Sequence, residues 1–463
     1  MEFDPETDMS QGPAKRMRGS WSDAYIAVHG GAGVYGQATE KGVKRVLREA
    51  CSRALSAISE ADGIPIDEDP SPALTMVEYA TTVLEDDPLL NAGYGSNLTL
   101  DGTVECDAAI MSGKGQKFGS VGAVSDVKNP VTLARAILEY SGQQDKLGRV
   151  PPLLLVSNGA SSFARRLSNY PSSGADRSRL RPQLTQPASL ISPTARAQWE
   201  KWTSRLEDPE YHPPPLSLNV ANPAPQGPLS PSIYSPSSSY FPYRSPPASP
   251  SSETPLSPFS FSYPVSTPVY DENSEGGRGS STLRDVQDTV GAVAWHQKDG
   301  AAASVSSGGI LLKLPGRVGE AAVYGAGCWA RHQDVSADIT RETISAASSD
   351  GAEEDDAEDG EEGQGNDTHQ ILQTILENEF WEDFQKEGEP NPSAGVLLLT
   401  REVDEGGRVS VRLWCAFTTP TMAIAYASPN HPKPKAAMLR HPDVCNSRHI
   451  TDKPRIFITA IPL

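Results

Sequence analysis

The sequence predicts a mixed α/β protein whose sheets are stacked in layers and covered by helices. Three observations support this class. Helical segments follow the first strand, strand-like runs occur in both halves of the chain, and a long Ser- and Pro-rich stretch separates the two sets of strands. Strands occur before and after that stretch and need hydrogen-bonding partners, so we expect strands from the two halves to pair with each other in the sheets.

The N-terminal part begins with a strand and two helices. Residues 24–28 are mostly apolar, and the stretch ends in a glycine turn at Gly30 after His29, which is typical of a short buried strand over 24–29. Residues 39–61 carry apolar side chains at helical spacing and predict an amphipathic helix. Residues 71–86 predict a second helix, with Ser71 as its N-cap and Pro72 at its first position.

The order of elements then changes to strands with interspersed helices. Small and β-branched residues predict strands at 103–113 and 118–127, an Asn-Pro start predicts a helix at 129–142, and 151–160 predict a strand and turn. After the Ser- and Pro-rich stretch, a Lys-Asp-Gly turn predicts a hairpin. The elements predicted from there are strands at 289–297 and 301–306, a helix at 368–384, and strands at 394–402, 409–417 and 421–428.

Two segments lack the apolar periodicity of a folded core. Residues 168–283 are rich in Ser and Pro and are predicted to be a disordered linker, because prolines cannot join sheet ladders. Residues 336–366 contain the acidic block DGAEEDDAEDGEE and are predicted to be a solvated insertion. The N-terminal tail, 1–21, is predicted to be disordered as well.

Composition excludes several classes of partner and cofactor. The formal net charge of −19 argues against nucleic acid and against an anionic membrane surface. The five cysteines form no CxxC pair, and neither a secretory signal nor a membrane span is visible, so we expect an intracellular protein, cytoplasmic or nuclear. The eight histidines lack metal-ligand spacing, and the glycine loops lack a Gly-Lys-Ser/Thr ending, so no metal or cofactor is predicted.

Thr289 stands directly after Asp288, at the first step of a strand-like run. A threonine hydroxyl is a weak nucleophile that needs an adjacent base. An N-terminal residue supplies its own α-amine, with a reference pKa of about 7.7–8.0. Thr289 gains that amine only if the bond after Asp288 is cut, and the long linker upstream tolerates such a cut. The alternative is that Thr289 simply opens a strand.

Several further blocks of the sequence carry a family resemblance. They are VHGGAG (28–33), NAGYGSNLTLDGTVECDAAIMSG (91–113), GSVGAVSDVKNPV (119–131), DTVGAV (288–293), SSGGILLKLPGRVGEAAVYGAGCWA (306–330) and SAGVLLL (393–399). In these blocks and their order the chain resembles the plant-type asparaginase and isoaspartyl peptidase family of N-terminal-nucleophile (Ntn) hydrolases.

The resemblance implies an αββα sandwich and self-scission between Asp288 and Thr289. It implies that the two fragments stay associated as a heterodimer and that heterodimers can pair further. The resulting division is an α part at 22–167, the linker, a β part that begins at Thr289 within 284–335 and 367–430, the acidic insertion, and a C-terminal extension at 431–463.

The resemblance also implies roles for particular residues. Thr289 matches the nucleophile, and Ser307 matches a second hydroxyl that helps to orient the new amine. Arg317 matches the arginine that grips a substrate carboxylate, which a planar guanidinium does with two parallel hydrogen bonds. Asn91 and Gly31 match oxyanion donors. Each match has a structural alternative: a surface ion pair for Arg317, a turn for Ser307, a loop cap for Asn91 and strand packing for Gly31.

The residue before the nucleophile indicates a branch of the family. Asparaginase-type members usually carry glycine there, whereas Asp288 resembles the threonine aspartase branch, which cuts protein substrates after aspartate. Asp288 either assists the scission or is only the residue left at the new carboxyl end. Glu320 argues against the aspartase branch, because asparaginases place an aspartate at this position to bind the substrate ammonium. Asparaginase or isoaspartyl peptidase activity is therefore the alternative.

One family segment is missing from the chain. A Thr/Ser-Gly-x-Gly-Glu stretch is expected downstream, but residues 338–370 hold the acidic run instead, with only a Gly-Gln-Gly at 363–365. The loss leaves a third possibility open, a catalytically inactive scaffold that presents Ser/Pro-rich and acidic segments to other proteins.

Overall fold

A computed structural model describes residues 24–59, 69–169, 181–209, 289–331, 368–386, 392–403, 408–441 and 456–463. The predictions for the N-terminal tail, for the acidic insertion and for Asp288 lie outside these residues, as does most of the predicted linker.

The strands of the described residues form two sheets. The larger has eight strands in the order β10-β9-β1-β5-β6-β2-β3-β4, and the smaller has the order β11-β8-β7. The strands are β1 (Ala24–Gly33), β2 (Cys106–Ser112), β3 (Lys117–Val124), β4 (Leu154–Val156), β5 (Val290–His296), β6 (Gly300–Ser307), β7 (Gly395–Val403), β8 (Val409–Phe417), β9 (Thr421–Ser428), β10 (His431–Arg440) and β11 (Phe457–Pro462). β5 pairs with β1 and β6 pairs with β2, so the sheet joins strands from both sides of the predicted linker.

Helices accompany both sheets, which confirms the predicted mixed α/β class. They are α1 (Gln37–Ala57), α2 (Pro72–Glu85), α3 (Pro130–Ser141), α4 (Ser157–Asn169), α5 (Pro193–Glu207), α6 (Thr368–Thr374), a π-helical segment (Ile375–Glu382) and α7 (Asp383–Lys386). Residues 154–156 form a strand as predicted, but the chain enters α4 at Ser157 rather than turning.

The N-terminus of α2 is capped differently from the prediction. Ser71 occupies the N-cap position, but its side chain forms no capping hydrogen bond. The amide of Ala73 instead donates to the carboxylate of Asp299, at 3.0 Å from Oδ1. Asp299 lies in the turn between β5 and β6, so the predicted hairpin supplies the cap for a helix far away in the sequence.

The strand residues alternate between two cores. Ile26 and Val28 of β1 pack with α1 and α2 on one face of the large sheet. Ala27, between them, packs on the other face against β8 of the small sheet. On the outer face of the small sheet, Trp414 packs against Leu372 of α6 and the start of the π-helical segment.

Helix α5 lies inside the predicted linker, so that prediction is wrong for residues 193–207. Ser192 caps the helix by accepting a hydrogen bond from the amide of Ala195 at 3.1 Å. Trp199 donates to the carbonyl of Thr99 at 2.9 Å, and Trp202 is buried. These two tryptophans supply the apolar contact that the surrounding Ser- and Pro-rich composition concealed.

The predicted C-terminal extension also contains regular structure. β10 extends one edge of the large sheet, and β11 is an edge strand of the small sheet. Within the described part of the chain, no helix combines the length and apolar character required to cross a membrane.

Candidate active site

The hairpin β5–β6 brings Thr289 and Ser307 together. Val290 pairs with Ser306 in antiparallel register, so the residue before β5 and the last residue of β6 become neighbours. The hydroxyl oxygens of Thr289 and Ser307 lie 3.1 Å apart. Thr289 is half-buried and Ser307 is buried.

Hydrogen bonds to Asn91 and Lys313, and one within the segment, fix Ser307–Gly309 in place. The amide of Gly309 donates to the Ser307 hydroxyl at 3.0 Å, and the amide of Gly308 donates to the Asn91 carbonyl at 2.8 Å. The Gly308 carbonyl accepts from Lys313 Nζ, and the Gly309 carbonyl accepts from Asn91 Nδ2, both at 2.9 Å. Gly309 has a φ of +64°, a conformation that favours glycine. The hydroxyl of Ser307 therefore points in a fixed direction.

Asn91 is brought to this segment but already has partners. Its Oδ1 accepts from the amide of Asn97 at 2.8 Å, and one Nδ2 hydrogen goes to Gly309. The second Nδ2 hydrogen is the one available for an oxyanion. Gly31 lies in β1 with a φ of +116°, where the pairing with β9 shifts register. The oxyanion roles of both residues remain predictions.

Glu320 contacts the candidate nucleophile directly. The hydroxyl of Thr289 donates to Oε1 of Glu320 at 3.0 Å. Glu320 begins a short 3-10 turn, and the preceding amide of Gly319 donates to Oδ2 of Asp107 at 2.7 Å. Asp107 is buried opposite Ser307, and this burial raises the pKa of its carboxyl. A buried aspartate thus anchors the turn that presents Glu320.

Arg317 lies above the same segment. A Cβ added to Gly309 would lie 3.2 Å from Nη1 of Arg317, and one added to Gly319 would lie 3.1 Å from it. The side chain is half-buried, and it forms no ion pair with a carboxylate of the described residues. No carboxylate in the described ranges therefore competes with an external anion for its guanidinium.

Sequence reasoning missed two buried charged residues of the site, Lys313 and Asp107. Lys313 is 1% exposed, and this burial lowers the pKa of its ammonium. Each interrupts a run of apolar or small residues, in ILLKLPG and ECDAAIM. A single charged residue within a run of apolar or small residues is the sequence signal that could have identified them. Such a residue is buried with its run and therefore needs a polar partner inside the fold.

His29 of β1 forms a hydrogen bond with the backbone of Thr289. It is wholly buried, which lowers the pKa of its imidazole to about 4, although a hydrogen bond with the Thr289 backbone opposes this shift. His29 pairs with Gly291, and a Cβ on Gly291 would lie 2.5 Å from the imidazole Nε2. The neutral ring thus occupies the space that a side chain at position 291 would take.

No group of three or more His, Cys, Asp or Glu side chains suited to a metal ion occurs among the described residues. The four cysteines in this part of the chain are free and buried.

Comparisons with known proteins point to one family. The family model described as asparaginase matches residues 22–186 and 263–343. The chain is 31% identical to the isoaspartyl peptidase of Salmonella typhimurium over 319 residues, which cover 68% of this chain and 72% of the relative. It is 30% identical to the isoaspartyl peptidase of Escherichia coli, covering 68% and 71%. It is 29% identical to the plant-type L-asparaginase of Pyrobaculum calidifontis, covering 66% and 70%.

Proposed function

This chain belongs to the asparaginase family, and we propose that it is a threonine-type Ntn hydrolase that matures by cutting itself between Asp288 and Thr289. The observation that carries the proposal is the position of the Thr289 hydroxyl, which lies within hydrogen-bonding distance of both Ser307 and Glu320 at the start of a central strand. The packing of α1 and α2, the two sheets and α6 on one another supports the αββα layer order of such hydrolases.

Turnover by the cut protein follows from the chemistry of a terminal threonine. The freed α-amine accepts the hydroxyl proton while Oγ1 of Thr289 attacks the substrate carbonyl. The carbon–nitrogen bond of the substrate then breaks, the leaving amine takes that proton, and the acyl group remains as an ester on Oγ1. Ser307 orients the amine and the hydroxyl. The second Nδ2 hydrogen of Asn91 and the amide of Gly31 stabilise the oxyanion in this scheme. Water then hydrolyses the ester and restores the hydroxyl.

The free guanidinium of Arg317 supports a substrate that carries a carboxylate. We propose that Arg317 binds the side chain of an aspartate and that Thr289 attacks the backbone carbonyl of that residue. The protein is then a threonine aspartase that cuts protein substrates after aspartate, which agrees with the aspartate at its own cleavage position. In this proposal the two fragments remain associated, and their heterodimers can pair.

A second candidate uses the same centre on smaller substrates. Glu320 places a carboxylate 3.0 Å from the Thr289 hydroxyl, where a free substrate ammonium would find an ion-pair partner. That observation favours an asparaginase or isoaspartyl peptidase, and the names of the similar proteins fit this candidate equally well.

N-terminal sequencing of the purified protein tests maturation. We expect two bands on a denaturing gel, with the smaller fragment beginning Thr-Val-Gly-Ala-Val, and a single uncut band from Thr289→Ala. The wild-type protein is then offered peptides with an internal aspartate, L-asparagine and a β-aspartyl dipeptide. Preference for the first supports the aspartase, and preference for either of the others supports the second candidate. A wild-type chain that stays uncut and hydrolyses none of them is the inactive scaffold.

A further inference from the structure

The self-scission proposed above needs a proton acceptor that the mature enzyme does not need. Before the cut, the nitrogen of Thr289 is part of a peptide bond and is not basic. The α-amine that serves later turnover therefore does not exist when the hydroxyl of Thr289 has to lose its proton for the first time. Another group of the uncut chain has to accept that proton.

Among the residues that the structure describes, one carboxylate lies within hydrogen-bonding distance of this hydroxyl. Within the described residues, the hydrogen bonds of Thr289 Oγ1 are those with Ser307 and Glu320, at 3.1 and 3.0 Å. A carboxylate is a far stronger base than a serine hydroxyl, and it lies within the distance that a general base requires. His29 is close, but its hydrogen bond goes to the Thr289 backbone, and its burial makes it a weak base.

The turn that carries Glu320 is built into the fold. The amide of Gly319, just before Glu320, donates to the carboxylate of the buried Asp107. Ala321 and Ala322, directly after Glu320, are buried. Gly327 packs so closely on the turn that an added Cβ would lie 2.7 Å from the Glu320 carbonyl oxygen. The carboxylate is thus presented from an anchored backbone, although the side chain itself is exposed.

We propose that Glu320 is the catalytic base for the first cut, the group that accepts the Thr289 proton in the uncut chain. This inference rests on the proposed function. Oγ1 of Thr289 attacks the carbonyl carbon of the peptide bond before it, while its proton moves to Glu320. The carbon–nitrogen bond breaks, and Glu320 returns the proton to the leaving nitrogen, which becomes the α-amine of Thr289. One water hydrolyses the ester, so Glu320 is regenerated unchanged.

The test is the rate at which freshly synthesised chain is cut, followed on a denaturing gel. We expect Glu320→Gln to slow scission about 100-fold or more, because the amide keeps the shape and the hydrogen bond but is not a base. Glu320→Asp should retain part of the rate. Asp101→Asn is the control, since it removes one exposed carboxylate in the loop that pairs with Lys313 and should cut at the wild-type rate.

A second variant separates chemistry from folding. Glu320→Ala opens space beside the hydroxyl, and added formate should restore its scission in proportion to formate concentration. The melting temperature of Glu320→Gln is compared with that of Thr289→Ala, which also stays uncut. Slow scission at an equal melting temperature, or rescue by formate, supports Glu320 as the base.

Three results overturn the inference. The first is scission of Glu320→Gln at the wild-type rate. The second is slow scission of Glu320→Gln together with a lowered melting temperature, while formate does not rescue Glu320→Ala. The third is loss of scission in Asp288→Asn while Glu320→Gln still cuts itself. The last result assigns the role to the aspartate at the cut. In all three results the wild-type chain cuts itself. If the proposed function were wrong, the wild-type chain would stay uncut, so the two failures are distinguishable.

Discussion

The two sides of the candidate site differ in how their polar groups are satisfied. On one side, Ser307, Gly308 and Gly309 exchange hydrogen bonds with Asn91 and Lys313. On the other side, the guanidinium of Arg317 pairs with no carboxylate of the described residues, and the carboxylate of Glu320 is exposed. We call these the packed side (Asn91, Ser307–Gly309, Lys313) and the open side (Arg317, Glu320).

The difference separates two tasks that a nucleophilic site has to perform. A nucleophile is efficient only when its neighbours are fixed, and buried hydrogen-bonded groups provide that rigidity. A group that binds substrate gains most when it gives up no internal partner, and the guanidinium of Arg317 has no carboxylate partner among the described residues. Changes on the packed side should therefore disturb stability and scission together. On the open side, a change of Arg317 should disturb substrate turnover alone, whereas a change of Glu320 should slow scission without lowering stability.

The largest effect is expected from filling the packed side. In Gly308→Ala, the added Cβ would lie 2.3 Å from Asn91 Oδ1 and 2.6 Å from Ser96 Cβ. Overpacking of this kind costs about 1–3 kcal/mol, and the backbone shift would move the Ser307 hydroxyl away from Thr289. We expect a lower free energy of unfolding in urea and loss of scission on the gel.

Gly36→Ala is the matched control for that variant. A Cβ on Gly36 meets no atom within 4 Å, and its φ of −73° suits alanine. Its scission should equal that of the wild type, and its free energy of unfolding should fall by at most about 1 kcal/mol, because Gly36 is the N-cap of α1. A Gly308→Ala chain that cuts itself at the wild-type rate would show that the packed side does not position Ser307.

A pH-dependent effect is expected from His29, which forms a hydrogen bond with the Thr289 backbone. Its pKa is about 4 in the folded chain and 6.5 as a free side chain. The unfolded chain therefore binds a proton first, so the folded state loses stability as pH falls from about 6.5 to 4. The full effect is roughly 3 kcal/mol. We expect His29→Gln to remove this share of the pH dependence.

The measurement is the free energy of unfolding in urea at several pH values, taken as wild type minus His29→Gln. Subtraction cancels the contributions of other titrating groups, which both proteins share. The difference should fall steadily below pH 6.5. A constant difference would mean that the imidazole is hydrated and is not held neutral beneath Thr289.

Sequence patterns predicted the scaffold of this site better than its contacts. Apolar periodicity located α1 and α2, and the Lys-Asp-Gly turn located the hairpin that joins Thr289 to Ser307. These predictions succeeded because they depend on residues close in the sequence. Ser71 occupies the predicted N-cap position of α2, but the group that accepts the capping hydrogen bond was missed, because Asp299 reaches Ala73 across the fold.

The same distinction explains the missed residues. Asp107 and Lys313 become part of the site only through the pairing of β2 with β6 and the fold of the following loop, which no local pattern specifies. Helix α5 was missed for a different reason: its two tryptophans are few among many Ser and Pro residues. Trp199 packs with Leu98 and Val104 and donates to the Thr99 carbonyl, contacts that lie far away in the sequence.

The smallest and most selective effect is expected on the open side, from Arg317→Lys. Lysine keeps the positive charge but cannot make two parallel hydrogen bonds to one carboxylate. Loss of one charge-assisted hydrogen bond costs about 1.5–3 kcal/mol, so kcat/KM for substrates with a carboxylate should fall about 10- to 100-fold. The self-scission rate should not change, because the bond before Thr289 is held by the chain itself.

Arg331→Lys is the control for that selectivity, since Arg331 is an exposed arginine on the segment that follows the open side. Its kcat/KM and scission should both match the wild type. If Arg317→Lys slows scission and turnover by the same factor, Arg317 belongs to the packed side, and the proposed carboxylate contact is lost with it. If turnover alone falls, the uncut chain and the substrate are held by different groups, as expected when one side fixes the nucleophile and the other receives the substrate.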